Sequence, residues 1–166
     1  MASTLPQTAI WHAARTRHGC EGRVRRTLDA LGVENFIPFE KTLSGASRPV
    51  IPCLVFLRAT RDEALSLANS GKIRVKYLID CATHTLMTVP DKQMDDFRRV
   101  MEAGLAEGGL VDVPLEKGEA VRVIAGPLKG VEGTVLEFHG RYYVVVVLLG
   151  EVFARAQVPR AYLEKI

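Results

Sequence analysis

Residues 118–135, GEAVRVIAGPLKGVEGTV, place the tightest limit on the fold. Val121 and Val123 share one side of a strand, with Arg122 on the other. Gly126-Pro127-Leu128-Lys129-Gly130 is a turn, because glycine admits positive φ and proline pre-sets the backbone. Residues 131–138 resume the strand, His139-Gly140 turns, and 142–149 is almost wholly apolar. Gly150-Glu151 turns once more and 152–158 returns. So short a stretch cannot hold two separate sheets. Its strands are expected to curl into a small barrel that removes its own edges.

The front of the chain alternates strand and helix signals. Residues 9–16 alternate as a strand, Trp11 and Ala13 facing one way, His12 and Ala14 the other. Val24, Leu28 and Leu31 recur at helical spacing behind Glu21, and Gly32 is placed to end that helix. Phe36 and Phe39 mark a second strand, 42–48 a polar hairpin loop, and 54–57 a strand too apolar to have a wet face. Thr60-Arg61-Asp62-Glu63 is a capping box that opens a short helix stopped by Gly71. Val75, Tyr77 and Ile79 suggest another strand. Pro90 starts a last helix with Met94, Phe97 and Met101 as its apolar stripe. Asp91, Asp95 and Asp96 complement the positive end of that helix and read as solvated rather than as a metal cluster. This order predicts an α+β sandwich, an antiparallel sheet with packed helices. The expected layout is a tail at 1–8, this domain at 9–107, a linker at 108–116 and the all-β domain at 117–166.

Composition narrows the function classes. Hydrophobic residues make up 48% of the chain and charged residues 25%, enough for a core and too ordered a mixture for disorder. No apolar run is long enough to span a membrane, and the first ten residues carry no Lys or Arg, so no signal peptide is expected. Cys20, Cys53 and Cys81 form no CxxC pair, and an odd count leaves one unpaired, so neither a disulfide framework nor a metal site is expected from spacing. A reducing cytoplasm fits. His12, His18, His84 and His139 form no HExxH pair, and 126–130 lacks the GxxxxGK[ST] arrangement of a nucleotide loop. Neither a catalytic residue nor a cofactor is implied. Net charge is +3, and the surplus lies in residues 1–50, which hold seven Lys/Arg against four Asp/Glu. Such an excess permits contact with nucleic acid without demanding it.

The combined pattern resembles the NusG family of transcription elongation factors. Gly118, Val121, Val123, Gly126, Pro127, Gly130 and Gly133, with Val131 and Val135, resemble its KOW domain. Trp11, the run Glu21-Gly22-Arg23-Val24, the group Phe36, Pro38 and Phe39, and Asp91-Lys92 resemble its N-terminal domain. The resemblance implies that the C-terminal part is an SH3-like barrel. It implies no enzyme, and a factor that binds RNA polymerase through Phe39, Ile51, Pro52 and Leu54. Arg15, Arg17, Arg23 and Arg48 would meet nucleic-acid phosphates. Leu128 and Phe153 would recruit a ribosomal protein, a termination factor or another regulator, with core packing as the plain alternative for each. In the family the strand after the variable loop enters with an aromatic-Pro-Gly-Tyr run. Here it reads Ile51-Pro52-Cys53-Leu54, and the loop 42–48 is short. Those departures resemble a specialised paralog that promotes antitermination in a surface-polysaccharide operon. The competing reading is a ribosomal or general RNA-binding KOW protein, against which the balanced charge of the C-terminal segment counts.

Overall fold

The computed structural model describes residues 8–107, 118–149 and 152–166. The tail at 1–7, the expected linker at 108–116 and the Gly150-Glu151 turn lie outside the described residues. The chain divides into two compact units, Met1–Pro90 and Asp91–Ile166.

The first unit runs β1 (Ile10–Arg15), α1 (Glu21–Ala30), β2 (Glu34–Phe36), β3 (Phe39–Lys41), β4 (Ser47–Pro49), β5 (Leu54–Ala59) and α2 (Arg61–Asn69). The short strands β6 (Lys76–Tyr77), β7 (Ile79–Asp80), β8 (Thr85–Leu86) and β9 (Thr88–Val89) follow. Its main sheet has the order β2-β5-β1-β6, with β9 also paired to β1, and every ladder is antiparallel. The side-chain period of two puts Ala14, Val55, Leu57 and Ala59 on one face, where they cluster with Val24 and Leu28 of α1 and Ala64 and Leu67 of α2. Leu54 and Phe56 point the other way and are also buried, as expected of a strand with no wet face. Local signals set the helix ends. Thr60 Oγ1 accepts from the Glu63 amide, the Glu63 carboxylate accepts from the Thr60 amide, and α2 starts there. Gly32, at φ 70°, turns the chain out of α1.

The sheet of this unit encloses the polar groups of Tyr77 and His12. The Tyr77 hydroxyl donates to Ala64 O at 2.7 Å, and burial pushes its phenol up to about 12. His12 is 1% exposed, and its Nε2 lies 3.1 Å from Ala59 O, which makes Nε2 the protonated nitrogen. Its Nδ1 is buried without a partner. Burial holds the imidazole below its ordinary 6.5, against the smaller pull of the Ala59 carbonyl.

The second unit begins with α3 (Asp91–Glu107), followed by β10 (Ala120–Val123), β11 (Glu132–Phe138), β12 (Arg141–Leu148), β13 (Val152–Gln157), a 3₁₀ turn at Arg160–Tyr162 and β14 (Leu163–Lys165). The strand order is β13-β12-β11-β10-β14. This corrects the expected SH3-like barrel: the C-terminal sheet is all-β but open. Among the described residues no ladder joins β13 to β14, so both remain edges. The 3₁₀ turn sends the chain back to β10, and α3 packs on β12 and β13. A helix laid on that end of the sheet covers apolar surface that closure would otherwise have to cover.

The α3 contacts are specific. Lys92 Nζ donates to Gly130 O at 2.9 Å, Arg99 Nη2 donates to Pro127 O and Lys129 O at 2.9 and 2.8 Å, and Gln93 Nε2 donates to Val147 O at 2.9 Å. Asp96, expected to be solvated, is 3% exposed instead. Its Oδ2 accepts from Lys92 Nζ at 2.5 Å and from the Glu132 amide at 3.2 Å, which satisfies the buried charge. On β11, Glu132 accepts from Arg122 at 2.9 Å, and that hydrogen bond lowers its carboxyl below the ordinary value.

The glycines of the opening motif have separate causes. Gly126 takes φ 80° in its turn, and a Cβ there would lie 2.9 Å from Tyr162. Gly133 lies within β11, where a Cβ would come 2.3 Å from Val145 O of the neighbouring strand. His139 and Gly140, at φ 50° and 74°, form the tight turn that joins β11 to β12.

Two outcomes follow for stability. Gly133→Ala should push β11 from β12 and cost about 1–3 kcal/mol, read as a lower urea midpoint; an unchanged midpoint would contradict the close approach. Because the folded His12 binds its proton less readily than the unfolded chain, its contribution is fully present above pH 6.5 and is lost as pH falls below that value. Urea titrations between pH 7.5 and 5.5 should show stability falling by at most about 1.4 kcal/mol per pH unit from this residue. The slope should shrink in His12→Gln.

Candidate functional site

Two neighbouring features of the first unit stand out, an apolar turn and a basic cavity. The β1–β5 ladder pairs Arg15 with Leu54, and the Thr16 amide donates to Cys53 O at 2.9 Å. These bonds bring the segment that leaves β1 beside the segment that enters β5. A hairpin of β3 and β4 stands next to them, with Phe39 opposite Pro49 and the Val50 amide donating to Pro38 O at 2.9 Å. Phe39 is half-buried against α1, where a Cβ on Gly22 would lie 3.9 Å from its ring. The Arg25 guanidinium sits 5.5 Å from the Phe39 ring centroid, a cation–π distance.

The expected polymerase-facing residues differ in access. Pro52 is exposed, Ile51 and Phe39 are half-buried, and Leu54 is only 4% exposed. Leu43, at the hairpin tip, is fully exposed and was not singled out by the sequence reading. Nothing in the pattern of a short polar loop distinguishes its one leucine.

The cavity has a volume of about 310 Å³. Four cations line it: Arg17 from the segment between β1 and α1, Arg23 from the first turn of α1, and Lys72 and Arg74 from the segment after α2. Val24 and Ile73 supply apolar wall, Thr16 and Thr27 supply hydroxyls, and no carboxylate is among the lining residues. Thr16 Oγ1 donates to Arg74 O at 3.0 Å and fixes the two walls together. Four like charges without a lining acid make a positive concavity, and its mixed walls can take a phosphate together with a flat apolar group.

Of the four arginines expected to meet phosphate, the structure brings Arg17 and Arg23 to this cavity. Arg15 is exposed at the end of β1. Arg48 stands on the hairpin, where its Nε donates to Glu40 Oε1 at 2.6 Å. Lys72 and Arg74 escape the sequence because one follows the Gly71 stop and the other lies in a strand candidate, and nothing local ties either to α1. Only the fold carries them to α1. In the second unit Leu128 is 6% exposed, and Phe153 is half-buried on the edge strand β13.

Among the described residues no helix is long and apolar enough to cross a membrane. The family profile "Transcription termination factor nusG" matches residues 9–98. No curated protein sequence matches the chain. A solved structure described as "Domain interaction in Thermotoga maritima NusG" is similar over 95% of this chain and 97% of that one, at 20% identity and a TM-score of 0.50. A second, described as "Crystal Structure of MjSpt4:Spt5 complex conformation B", covers 95% of this chain and 97% of that one, at 16% identity and a TM-score of 0.31. The first of these similarities extends the likeness of fold through the C-terminal sheet.

Proposed function

The chain belongs to the NusG family of non-catalytic, transcription-associated regulatory factors, and from that premise we propose that it binds RNA polymerase through its first unit and reduces pausing or termination. The reading is supported above all by one juxtaposition, the apolar turn at Ile51-Pro52 beside an acid-free basic cavity. Pro52, Ile51 and the ring of Phe39 would make the protein contact. Leu54, buried at the start of β5, would anchor the end of that turn. The hairpin tip with Leu43 would add a second apolar contact.

Arg17, Arg23, Lys72 and Arg74 would receive the phosphates of nucleic acid in the elongation complex, positioning the strand rather than reading it. Binding to a polymerase state that does not pause shifts the population toward that state, and no covalent chemistry is needed. The C-terminal sheet of KOW type would recruit a further partner, a ribosomal protein or a termination factor, with Phe153 on its open edge. The Ile51-Pro52-Cys53-Leu54 run and the short hairpin loop support an operon-specific antiterminator.

Pull-down of RNA polymerase by the full chain should be saturable. Ile51→Asp should weaken it at least about tenfold, a loss of about 1.4 kcal/mol, with the far-UV circular dichroism unchanged; undiminished binding would sink the polymerase contact. Binding without increased read-through in run-on transcription would retain the partner and remove antitermination. Arg74→Ala should lower affinity for the nucleic acid of the complex and reduce the slope of log affinity against log salt by about one. Strong, salt-dependent RNA binding in the absence of polymerase would instead favour a general RNA-binding protein.

A further inference from the structure

Outside the basic cavity, the same two turns carry a separate cluster. His18 lies in the turn that follows β1, Glu21 is the first residue of α1, and Cys53 immediately precedes β5. One ligand atom from each, an imidazole nitrogen, a carboxylate oxygen and the thiol sulfur, lie within 4.8 Å of one another. The residues come from two segments far apart in sequence. The bond from the Thr16 amide to Cys53 O holds the segments together at 2.9 Å.

Glu21 supplies a second, independent observation. It is 1% exposed, and its two carboxylate oxygens accept only the single amide of Gly19, at 3.1 and 3.2 Å. An ionised carboxylate offers about four acceptor positions, so beside the shared Gly19 N–H its oxygens keep lone pairs that can meet a cation. Among the described residues no cationic side chain is recorded in an ion pair with it. A metal ion would supply the missing positive charge.

We propose that His18, Glu21 and Cys53 bind a divalent cation of the zinc class, with a fourth position open to water. Nitrogen, oxygen and sulfur donors together suit zinc, whereas magnesium and calcium take oxygen alone. A thiolate and a carboxylate carry two negative charges and a neutral imidazole none, so a doubly positive ion leaves the site neutral. Cys53 gives its thiol proton to solvent on binding. Metal bonds of about 2.0–2.3 Å in a tetrahedron set donor separations of about 3.3–3.6 Å, so the cluster must tighten by roughly 1 Å. The exposed His18 side chain can move that far. The bound ion would staple the turn after β1 to the turn before β5, fixing Arg17 relative to Ile51-Pro52. The site stands whether or not the polymerase reading does.

The test uses the reduced, metal-free full chain and cobalt(II) as a spectroscopic stand-in for zinc. The expected result is saturable binding of one ion per chain, with visible bands of a four-coordinate centre and a near-ultraviolet thiolate-to-cobalt charge-transfer band. Zinc should displace the cobalt and raise Tm. Cys53→Ser should abolish the charge-transfer band, and His18→Ala should weaken zinc binding at least about tenfold in calorimetry. Cys20→Ser and Cys81→Ser should leave both unchanged. His18 is exposed, so its variant keeps the test meaningful if Cys53→Ser folds poorly. Absence of the thiolate band in the parent protein, a band that survives Cys53→Ser or disappears with Cys20→Ser, or zinc affinity indifferent to His18→Ala would overturn the proposal.

Discussion

The ladder between β1 and β5 is the constraint on which the rest of the first unit depends. Its six antiparallel pairs run from Ile10 with Ala59 to Arg15 with Leu54. A slip of one residue would turn Val55 and Leu57 away from α1 and α2 and bring Leu54 and Phe56 round in their place, breaking the fit of both buried faces. The same register fixes what happens beyond its end. Thr16 bonds to Cys53 through one backbone and to Arg74 through its side chain. The basic cavity, the apolar turn and the His18–Glu21–Cys53 cluster are therefore three consequences of one strand pairing.

The second unit solves a different problem. A five-stranded sheet of this size has two edges and an apolar face, and closure into a barrel would deal with both. Here α3 covers the β12–β13 end, and its polar side chains bond to carbonyls of the 126–130 turn and of β12. The edges are managed locally: β14 is three residues long and carries Glu164 and Lys165. Asp96 shows how α3 is held, because its buried carboxylate is met by one ammonium and one backbone amide. Removing the Lys92 ammonium would leave that buried carboxylate with a single amide.

Local chemistry was legible in the sequence, and closure was not. Thr60 with Glu63, Gly32, and His139 with Gly140 each announce a structure made by neighbours in the chain, and each was readable. Gly133 was visible as part of a motif, but its cause, the oxygen of Val145 on the adjoining strand, belongs to the sheet. Whether β13 meets β14 depends on the curl of every strand and on where α3 lies, which no local pattern encodes. The candidate site divides the same way. Arg17 and Arg23 were legible from the charge surplus around α1, whereas Lys72 and Arg74 reach the cavity only through the fold. Leu54 belongs to two readings at once, the end of the docking run 51–54 and the start of the wholly apolar strand 54–57, and it is 4% exposed.

We propose that the first unit meets RNA polymerase with the surface formed by the β3–β4 hairpin and the turn before β5. Hydrogen exchange of the full chain, measured alone and in complex with the elongating polymerase, tests it most directly. Slowed exchange is expected at residues 38–44 and 49–53, together with 17–23 and 72–74 when nucleic acid is present. Protection confined to residues 118–166, with the front unit exchanging as in the free protein, would contradict it.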